Sequence, residues 1–406
     1  MTTSRRSPRP NLIVVGASVR AFGCSAQRVG WSVHAADLFG DADLRAVATT
    51  TVAATEIVGP YPASLVTAVE GFPHAPWCYT GALENHPQVI ATLAAARPLL
   101  GASPDAARGV RDHHRLADVV RSVGIGFPKT FSGPSNAPRD GTYLVKPLAS
   151  AVGRGIARWN PAAGLGAVDA HVWQQWINGE SWAAAFVIDR LGRPRLWGTS
   201  RQLVGLEWCH ARPFAYCGSV DVSLPTLAPP LRHQLDRLGH ALADAFGADG
   251  LVGLIGVDLV VDPAGRLHVI EINPRPTASM ELVERATGES LAAVHLTACG
   301  GEPPPTADAR PTTTVWGKAV LFAPLDLRID TAHVAAMQSA CLPALDAERD
   351  WPSLADIPCP GTSISAGAPL ITIFAAGDAH ADVLDRLRRR AAAVDAVVSA
   401  CQPAGH

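Results

Sequence analysis

The chain is predicted to combine an N-terminal α/β domain, a larger α+β region and a β-rich C-terminal module. Residues 11–16 (NLIVVG) read as a buried strand that leads through a helical stretch to a second strand, WSVHAADLF, which is a β-α-β start. The stretch GLIGVDLVVDPAGRLHVIEINPRP reads as a β-hairpin, and the turn-rich end alternates Ile with Gly and Pro. We place the three domains at residues 10–105, 106–300 and 312–406, with a final helix closing the last.

The composition favours a globular protein with packed cores. Hydrophobic residues make up 48% of the 406 residues, and charged residues make up 17%. The net charge of −2 gives no drive toward nucleic acid or anionic membranes, and no window approaches the length of a membrane span. The eight cysteines form no C-x-x-C pair and are typical of reduced thiols. We therefore expect a cytoplasmic protein without nucleic-acid or membrane partners, and an oligomer is compatible with this sequence.

The middle of the chain carries two features that suit a nucleotide. A strand, GTYLVKP, ends in Lys146, and a loop with Gly153 and Gly155 follows. A lysine beside backbone N–H groups that can approach phosphate is a candidate phosphate ligand, although a surface charge is the alternative. Further on, the segment QQWINGE could offer backbone groups to a purine ring. Its last residue, Glu180, could accept hydrogen bonds from ribose hydroxyls. Taken alone, this second motif favours a plain strand-turn-strand.

The hairpin places two carboxylates opposite each other if its loop has four residues. With residues 263–266 as the loop, Asp262 pairs with Leu267, and counting outward sets Asp258 opposite Glu271. Directly opposed side chains lie on one face of the ladder, close enough to interact. A slip of one residue would instead send the two carboxylates to opposite faces.

Two opposed carboxylates need a positive partner. Asn273 adds an amide oxygen to Asp258 and Glu271, and such a set of hard oxygens suits Mg²⁺. Arg275 adds a planar fork for phosphate or carboxylate. The alternative is an ordinary surface hairpin, which the apolar run VIEIN disfavours because an unpaired buried carboxylate is costly.

The order and spacing of these features resemble the ATP-grasp superfamily over roughly residues 106–300. Members of that family sandwich ATP between two α+β subdomains, and many convert a carboxylate to an acyl phosphate that an amine or other nucleophile attacks. The N-terminal β-α-β region is similar to the domain that precedes the ATP-grasp fold in the family. The resemblance therefore implies a pre-ATP-grasp domain, a two-subdomain ATP-grasp fold and a small β-rich module.

The resemblance also implies roles for particular residues. Asp258, Glu271 and Asn273 would hold Mg²⁺, with Mn²⁺ as an alternative, and the ion would bridge the phosphates of ATP. Arg275 would steady the transferred phosphoryl group. The residues implied to contact ATP are Lys146, Gly153 and Gly155 at the phosphates, Gln175, Trp176 and Ile177 at adenine, and Glu180 at ribose.

One position departs from the family pattern. Many members carry Asp-Lys where this chain has Asp112-His113, and that lysine helps to bind ATP. His113, His114 or Arg115 must substitute here, or the contact is missing.

The sequence says less about the site for the substrate carboxylate. Arg201 and Arg212 lie within TSRQLVGLEWCHARPFAYCGS (residues 199–219), and we weigh a bidentate grip on a substrate carboxylate evenly against surface salt bridges. The motifs GASVRA, EINPRPTAS and DIPCPGTSISAG together resemble ATP-grasp proteins of tetrahydromethanopterin- and methanofuran-linked one-carbon pathways, which include tyramine–glutamate ligase.

The sequence thus predicts an ATP-dependent ligase that joins a small-molecule carboxylate to an amine and releases ADP and phosphate. In this reaction Arg275 and Arg201 would be the catalytic residues. Two alternatives stay open at this point: a non-catalytic ATP-binding protein, indicated by His113, and an ATP-dependent carboxylase or small-molecule kinase on the same fold.

Overall fold

A computed structural model describes residues 9–57, 59–150, 152–160, 170–301 and 313–400. Within these ranges no helix is both long enough and apolar enough to cross a membrane. The strands are β1 (Asn11–Val15), β2 (Ser32–Asp37), β3 (Thr50–Ala53), β4 (Trp77–Tyr79), β5 (Thr130–Phe131), β6 (Tyr143–Pro147), β7 (Ala157–Arg158), β8 (His171–Gln175), β9 (Glu180–Ile188), β10 (Pro194–Val204), β11 (Tyr216–Val222), β12 (Gly253–Val261), β13 (Leu267–Asn273), β14 (Val315–Phe322), β15 (Leu327–Arg328), β16 (Leu354–Ala355), β17 (Ser363–Ile364) and β18 (Pro369–Gly377). The helices are α1 (Arg20–Arg28), α2 (Ala42–Val47), α3 (Ala63–Glu70), α4 (Pro87–Ala96), α5 (Pro104–Arg111), α6 (His113–Ser122), α7 (Pro229–Phe246), α8 (Met280–Thr287), α9 (Leu291–Ala298), α10 (Thr331–Ala340) and α11 (His380–Ala400).

The N-terminal domain is built on a parallel sheet in the order β3-β2-β1-β4, which confirms the predicted β-α-β start. Residues 12–15 of β1 are fully buried, as expected for a strand covered on both faces. At the turn into α1, a Cβ on Gly16 would lie 2.3 Å from Oγ1 of Thr80, so only glycine fits there. GASVRA is therefore a tight turn packed against the end of β4.

A single eight-stranded sheet forms the centre of the molecule, in the order β13-β12-β9-β10-β11-β14-β18-β16. Helix α7 packs on one face through contacts such as Leu235 with Phe186, and α11 covers the same face further along. Helices α8 and α9 and the N-terminal domain lie on the other face, where Leu254 joins Met280 and Phe22 in one cluster. The two faces of the sheet therefore pack against different elements. The face to which a side chain points decides which of these elements it contacts.

The strands of the predicted C-terminal module continue this sheet. Strand β14 pairs with β11 on one side and with β18 on the other, so hydrogen bonds cross the predicted boundary at residue 312. The division into three domains stays a prediction, and one sheet joins the second predicted domain to the third.

A smaller antiparallel sheet, in the order β5-β8-β6-β7, stands apart from the central one. Its core contains Trp159 and Trp173, whose rings meet edge to face with 5.6 Å between their centroids. Strand β6 of this sheet ends at Lys146–Pro147. Lys146 therefore lies at the edge of the small sheet where β6 ends, near Glu271 and Asp258 of the central sheet.

The hairpin of β12 and β13 has the predicted alignment of Asp258 with Glu271, but its loop length and its register differ from the prediction. The closing pair is Val261 with Leu267, so the loop has five residues rather than four. Between that pair and Asp258 the register shifts by one, because Ile270 forms a bulge in β13. Without the bulge, the five-residue loop would have sent the two carboxylates to opposite faces.

Candidate functional site

The site is centred on two half-buried carboxylates on one face of the hairpin. Asp258 accepts hydrogen bonds from Nε2 of Gln202, at 2.7 Å, and from Nδ2 of Asn273, at 3.0 Å. Burial, together with the nearby charge of Glu271, raises the pKa of Asp258 to about 6. A carboxylate in this state gains from an added cation, because a positive charge would remove the repulsion from Glu271.

Two cations face Glu271. Nη1 of Arg111 donates to Oε1 of Glu271 at 2.9 Å, and Nζ of Lys146 donates to Oε1 of Gln174 at 3.0 Å. Burial alone would raise the pKa of Glu271, but Lys146 and Arg111 hold it below its ordinary value. Burial lowers the pKa of Lys146, and the charges of Glu271 and Asp258 oppose that change. Lys146, Asp258 and Glu271 therefore share one electrostatic environment.

Arg275 lies beside the hairpin with a partner that the sequence did not reveal. Its Nε and Nη2 donate to the two carboxylate oxygens of Glu84, at 3.0 and 2.5 Å, and the two side chains are only 12% and 2% exposed. Nη2 also donates to Oδ1 of Asn273 at 3.1 Å. The N-terminal domain thus fixes Arg275 next to a predicted metal ligand.

The loop with Gly153 and Gly155 lies against the segment before β11. Both glycines have positive φ angles, of 74° and 79°. A Cβ on Gly153 would lie 2.0 Å from the carbonyl oxygen of Phe214, and the N–H of Tyr216 donates to the carbonyl of Val152 at 3.3 Å. This close approach needs glycine, and it brings the loop over the end of the sheet that carries Asp258.

The predicted adenine segment lines a cleft of about 520 Å³ beside the hairpin turn. Gln175, Trp176 and Ile177 form one wall, and Phe127 and His268 contribute to the other. The N–H groups of Gln175 and Trp176 donate to Lys129 and Thr142 within the small sheet, at 2.8 Å each. The carbonyl oxygens of this segment are therefore the groups that could accept from a purine amino group.

Arg201 is not brought to the hairpin. It pairs directly with Trp182 across β10 and β9, and its guanidinium lies 5.4 Å from the ring centroid. Trp182 packs in the cluster under α7, on the face opposite to Asp258, because Leu259 is its partner in β12. Side chains alternate along a strand, so the next residue, Gln202, is the one that reaches Asp258. The predicted role of Arg201 as a ligand of a substrate carboxylate stays a prediction.

Glu180 shares the face of Arg201. Its carboxylate accepts from Nε1 of Trp182 at 3.2 Å and lies 3.6 Å from Nε of Arg201, with 60% of the side chain exposed. Its predicted contact with ribose stays a prediction.

The position that departs from the family pattern lies in a second cavity, of about 280 Å³, lined by His113, His114 and Leu148. Burial and the nearby charges of Lys146 and Arg111 lower the pKa of His113, which favours its neutral form. Arg115 points away and pairs with Asp249 at 2.6 Å. Arg111, which the sequence reasoning passed over, reaches the hairpin instead.

The donor set suits a hard cation that shares its ligands with phosphate. In the described part of the chain, no group of three or more His, Cys, Asp or Glu side chains is arranged to hold a metal ion. The hairpin provides two carboxylates and one amide, which is too few for an all-protein cage. Mg²⁺ usually keeps substrate phosphates and water among its ligands, so this small set fits it when a nucleotide supplies the rest.

Comparisons with known proteins agree with this fold. Residues 110–279 match the family model described as ATP-grasp domain. An ADP complex of N5-carboxyaminoimidazole ribonucleotide synthetase superposes with a TM-score of 0.66 and 12% identity, covering 97% of this chain and 99% of that one. L-amino acid ligase from Bacillus licheniformis gives 0.65 and 14% identity, covering 95% and 98%.

A third structure, the β-γ-ATP complex of biotin carboxylase from Campylobacter jejuni, gives a TM-score of 0.64 and 12% identity, covering 92% of this chain and 89% of that one. No curated protein matches the chain in sequence. The chain therefore has the mixed α/β ATP-grasp fold of these structures, and its residues 110–279 match the model of an ATP-grasp domain.

Proposed function

We propose that the protein is an ATP-dependent ligase that joins a carboxylate to an amine through an acyl phosphate, releasing ADP and phosphate. The observation that carries this proposal is the facing pair Asp258 and Glu271, set among the cations Lys146, Arg111 and Arg275. Phosphoryl transfer depends mostly on positioning and charge neutralisation, and such a set performs both without a nucleophilic side chain.

The proposal assigns a role to each residue of the site. Asp258, Glu271 and Asn273 would hold the ion, and Lys146 would bind a phosphate oxygen. Gly153 and Gly155 would offer backbone N–H groups to the phosphates. The segment of Gln175, Trp176 and Ile177 would border adenine. Glu180, whose side chain is 60% exposed, would bind ribose.

When bound, MgATP supplies the phosphoryl group that activates a carboxylate toward attack by an amine. The protein's own part is electrostatic. Arg275 is fixed by Glu84 and presents its guanidinium edge beside Asn273, where negative charge on a transferred phosphoryl group would be stabilised. The loop at Gly153 packs on Phe214 and would exclude water, which protects an acyl phosphate from hydrolysis.

The structural neighbours support the nucleotide and the reaction class, but not one substrate. Two of the three named structures are complexes with ADP or with β-γ-ATP, and one is an L-amino acid ligase. The resemblance to proteins such as tyramine–glutamate ligase suggests amino acids as carboxylate donors and aromatic amines as acceptors. A carboxylase is the second candidate, because biotin carboxylase is among the neighbours.

The test is to supply ATP and Mg²⁺ with a panel of acids and amines, glutamate and tyramine among them, and to identify the nucleotide products. We expect ADP and phosphate only when both an acid and an amine are present, together with an amide. With ¹⁸O in the carboxylate, one labelled oxygen should appear in the released phosphate. AMP with pyrophosphate would reject the proposal, and ADP release that needs bicarbonate but no amine would favour the carboxylase.

A further inference from the structure

Arg111 holds an unusual position for a residue that the family pattern does not highlight. It is the last residue of α5, and Asp112 caps α6 directly after it by accepting from the N–H groups of His114 and Arg115. This break between two helices aims Arg111 at the hairpin. Nη1 donates to Oε1 of Glu271 at 2.9 Å, and Nη2 donates to the carbonyl of Leu148 at 2.9 Å. Arg111 thus bridges a predicted metal ligand and the residues that follow Lys146.

Neighbouring basic residues do not offer the same charge to the site. His113 lies near Lys146 and Arg111, and its surroundings favour the neutral ring. Arg115 donates to the carbonyl of Ala245 at 2.6 Å and stacks on Phe246 with 4.5 Å to the ring centroid, so it faces α7. Between residues 111 and 115, Arg111 is therefore the side chain that brings a permanent charge to the hairpin.

The charges at the hairpin are balanced before any ligand binds. Asp258 and Glu271 provide two negative charges, and Lys146 and Arg111 provide two positive charges, while Arg275 is neutralised by Glu84. A divalent ion alone would leave an excess of positive charge and would have to compete with Arg111 for Glu271. A divalent ion that arrives with a polyphosphate brings the negative charge that restores the balance, and it gives Arg111 a new partner.

We propose that Arg111 is the nucleotide-phosphate ligand in place of the missing lysine, and that it exchanges Glu271 for a phosphate as the metal takes Glu271. The inference rests on the proposed ATP site. The exchange makes the binding of metal and nucleotide cooperative. The phosphate draws Arg111 away from Glu271, and the metal takes the place of Arg111 on Glu271. Arg111 thereby disfavours metal binding without nucleotide and favours binding of the metal–nucleotide complex.

The test measures two affinities that should move in opposite directions. In Arg111→Gln, Mn²⁺ alone, followed by its paramagnetic resonance signal, should bind several-fold more tightly because Glu271 is released. MgADP, followed by calorimetry, should bind about tenfold more weakly, the order expected when one charge-assisted hydrogen bond is lost. Arg111→Lys keeps the charge and should stay close to wild type for Mn²⁺ alone.

Arg115→Gln is the matched control. It removes an arginine four residues away that pairs with Asp249 outside the cleft, and both affinities should stay unchanged. Weakening of both affinities in Arg111→Gln would show a purely structural role and overturn the inference, as would no change in either. If wild type binds MgADP and Arg111→Gln binds it equally well, only this inference fails. If wild type binds neither MgADP nor MgATP, the proposed function fails with it.

Discussion

The carboxylates of Asp258 and Glu271 face each other because a bulge at Ile270 offsets the odd length of the hairpin loop. The loop and the bulge each shift the register by one residue, and together they return both side chains to the same face. The geometry of the proposed metal site therefore depends on the bulge at Ile270, which directly precedes Glu271 in β13.

Replacing Asp258 with Asn should abolish the pH dependence of metal binding. The pKa of Asp258 is raised to about 6, so in wild type the affinity for Mn²⁺ in the presence of ADP should fall as the pH drops below about 6. The variant cannot ionise, and it should bind the metal weakly at every pH and lose at least about 100-fold in turnover. Its folding should persist, because the new amide oxygen can still accept from Nδ2 of Asn273, and Gln202 can rotate its own amide to accept from the new N–H group. A variant with wild-type metal affinity would remove Asp258 from the site.

Replacing Glu84 with Gln should impair Arg275 without touching the nucleotide. The substitution leaves a buried guanidinium without its counter-charge, which typically costs about 3–5 kcal/mol when one partner of a buried pair is removed. We expect a lower melting temperature and a reduced kcat, with a KM for ATP that changes little.

Glu84→Asp keeps the charge and should recover part of both losses. If Glu84→Gln lowers the melting temperature but leaves kcat unchanged, Glu84 supports the domain contact only and Arg275 needs no positioning.

Replacing Gly153 with Ala should open the loop over the phosphates. The new Cβ would lie 2.0 Å from the carbonyl oxygen of Phe214, so the loop must move, and we expect the KM for ATP to rise by about tenfold. Gly192 is a matched control, since its φ of 73° is almost the same and nothing lies within 4 Å of a Cβ there. Gly192→Ala should cost about 1 kcal/mol of stability from backbone strain and leave the KM unchanged. Equal kinetic effects in both variants would show that strain, and not contact with Phe214, is responsible.

Asp221 should make the protein less stable as the pH rises toward neutrality. The side chain is 7% exposed, and burial raises its pKa from 3.8 to about 7. An acid whose pKa is higher in the folded state stabilises the fold fully below its unfolded pKa, and that contribution is lost as the pH rises through about 7. Between pH 4 and pH 8, Asp221→Asn should therefore lose less stability than wild type, by on the order of 4 kcal/mol. Parallel curves of melting temperature against pH for the two proteins would contradict this.

The sequence was sufficient to predict what depends on local pattern. The N-terminal strand-helix-strand, the hairpin and the facing of Asp258 with Glu271 each rest on periodicity and turn chemistry, and the structure confirms them. The predicted four-residue loop was wrong, because turn residues do not reveal a bulge further along the strand.

Contacts between distant segments were beyond the sequence. Glu84 lies 191 residues from Arg275, and Arg111 lies 160 residues from Glu271, so no spacing rule joins either pair. The direction of the β10 side chains was also beyond the sequence. Whether residue 201 or residue 202 turns toward Asp258 depends on the register of β10 with β9 and of β9 with β12.

The continuity of the central sheet also sets how the protein can be divided. Strand β11 bonds β14 along Gly218–Val220, and a protein that ended at residue 311 would leave this row of β11 backbone groups open. An open, apolar strand edge is a template for pairing with other chains. Such a truncated protein should therefore aggregate, because residues 9–301 do not form an independently stable unit without β14.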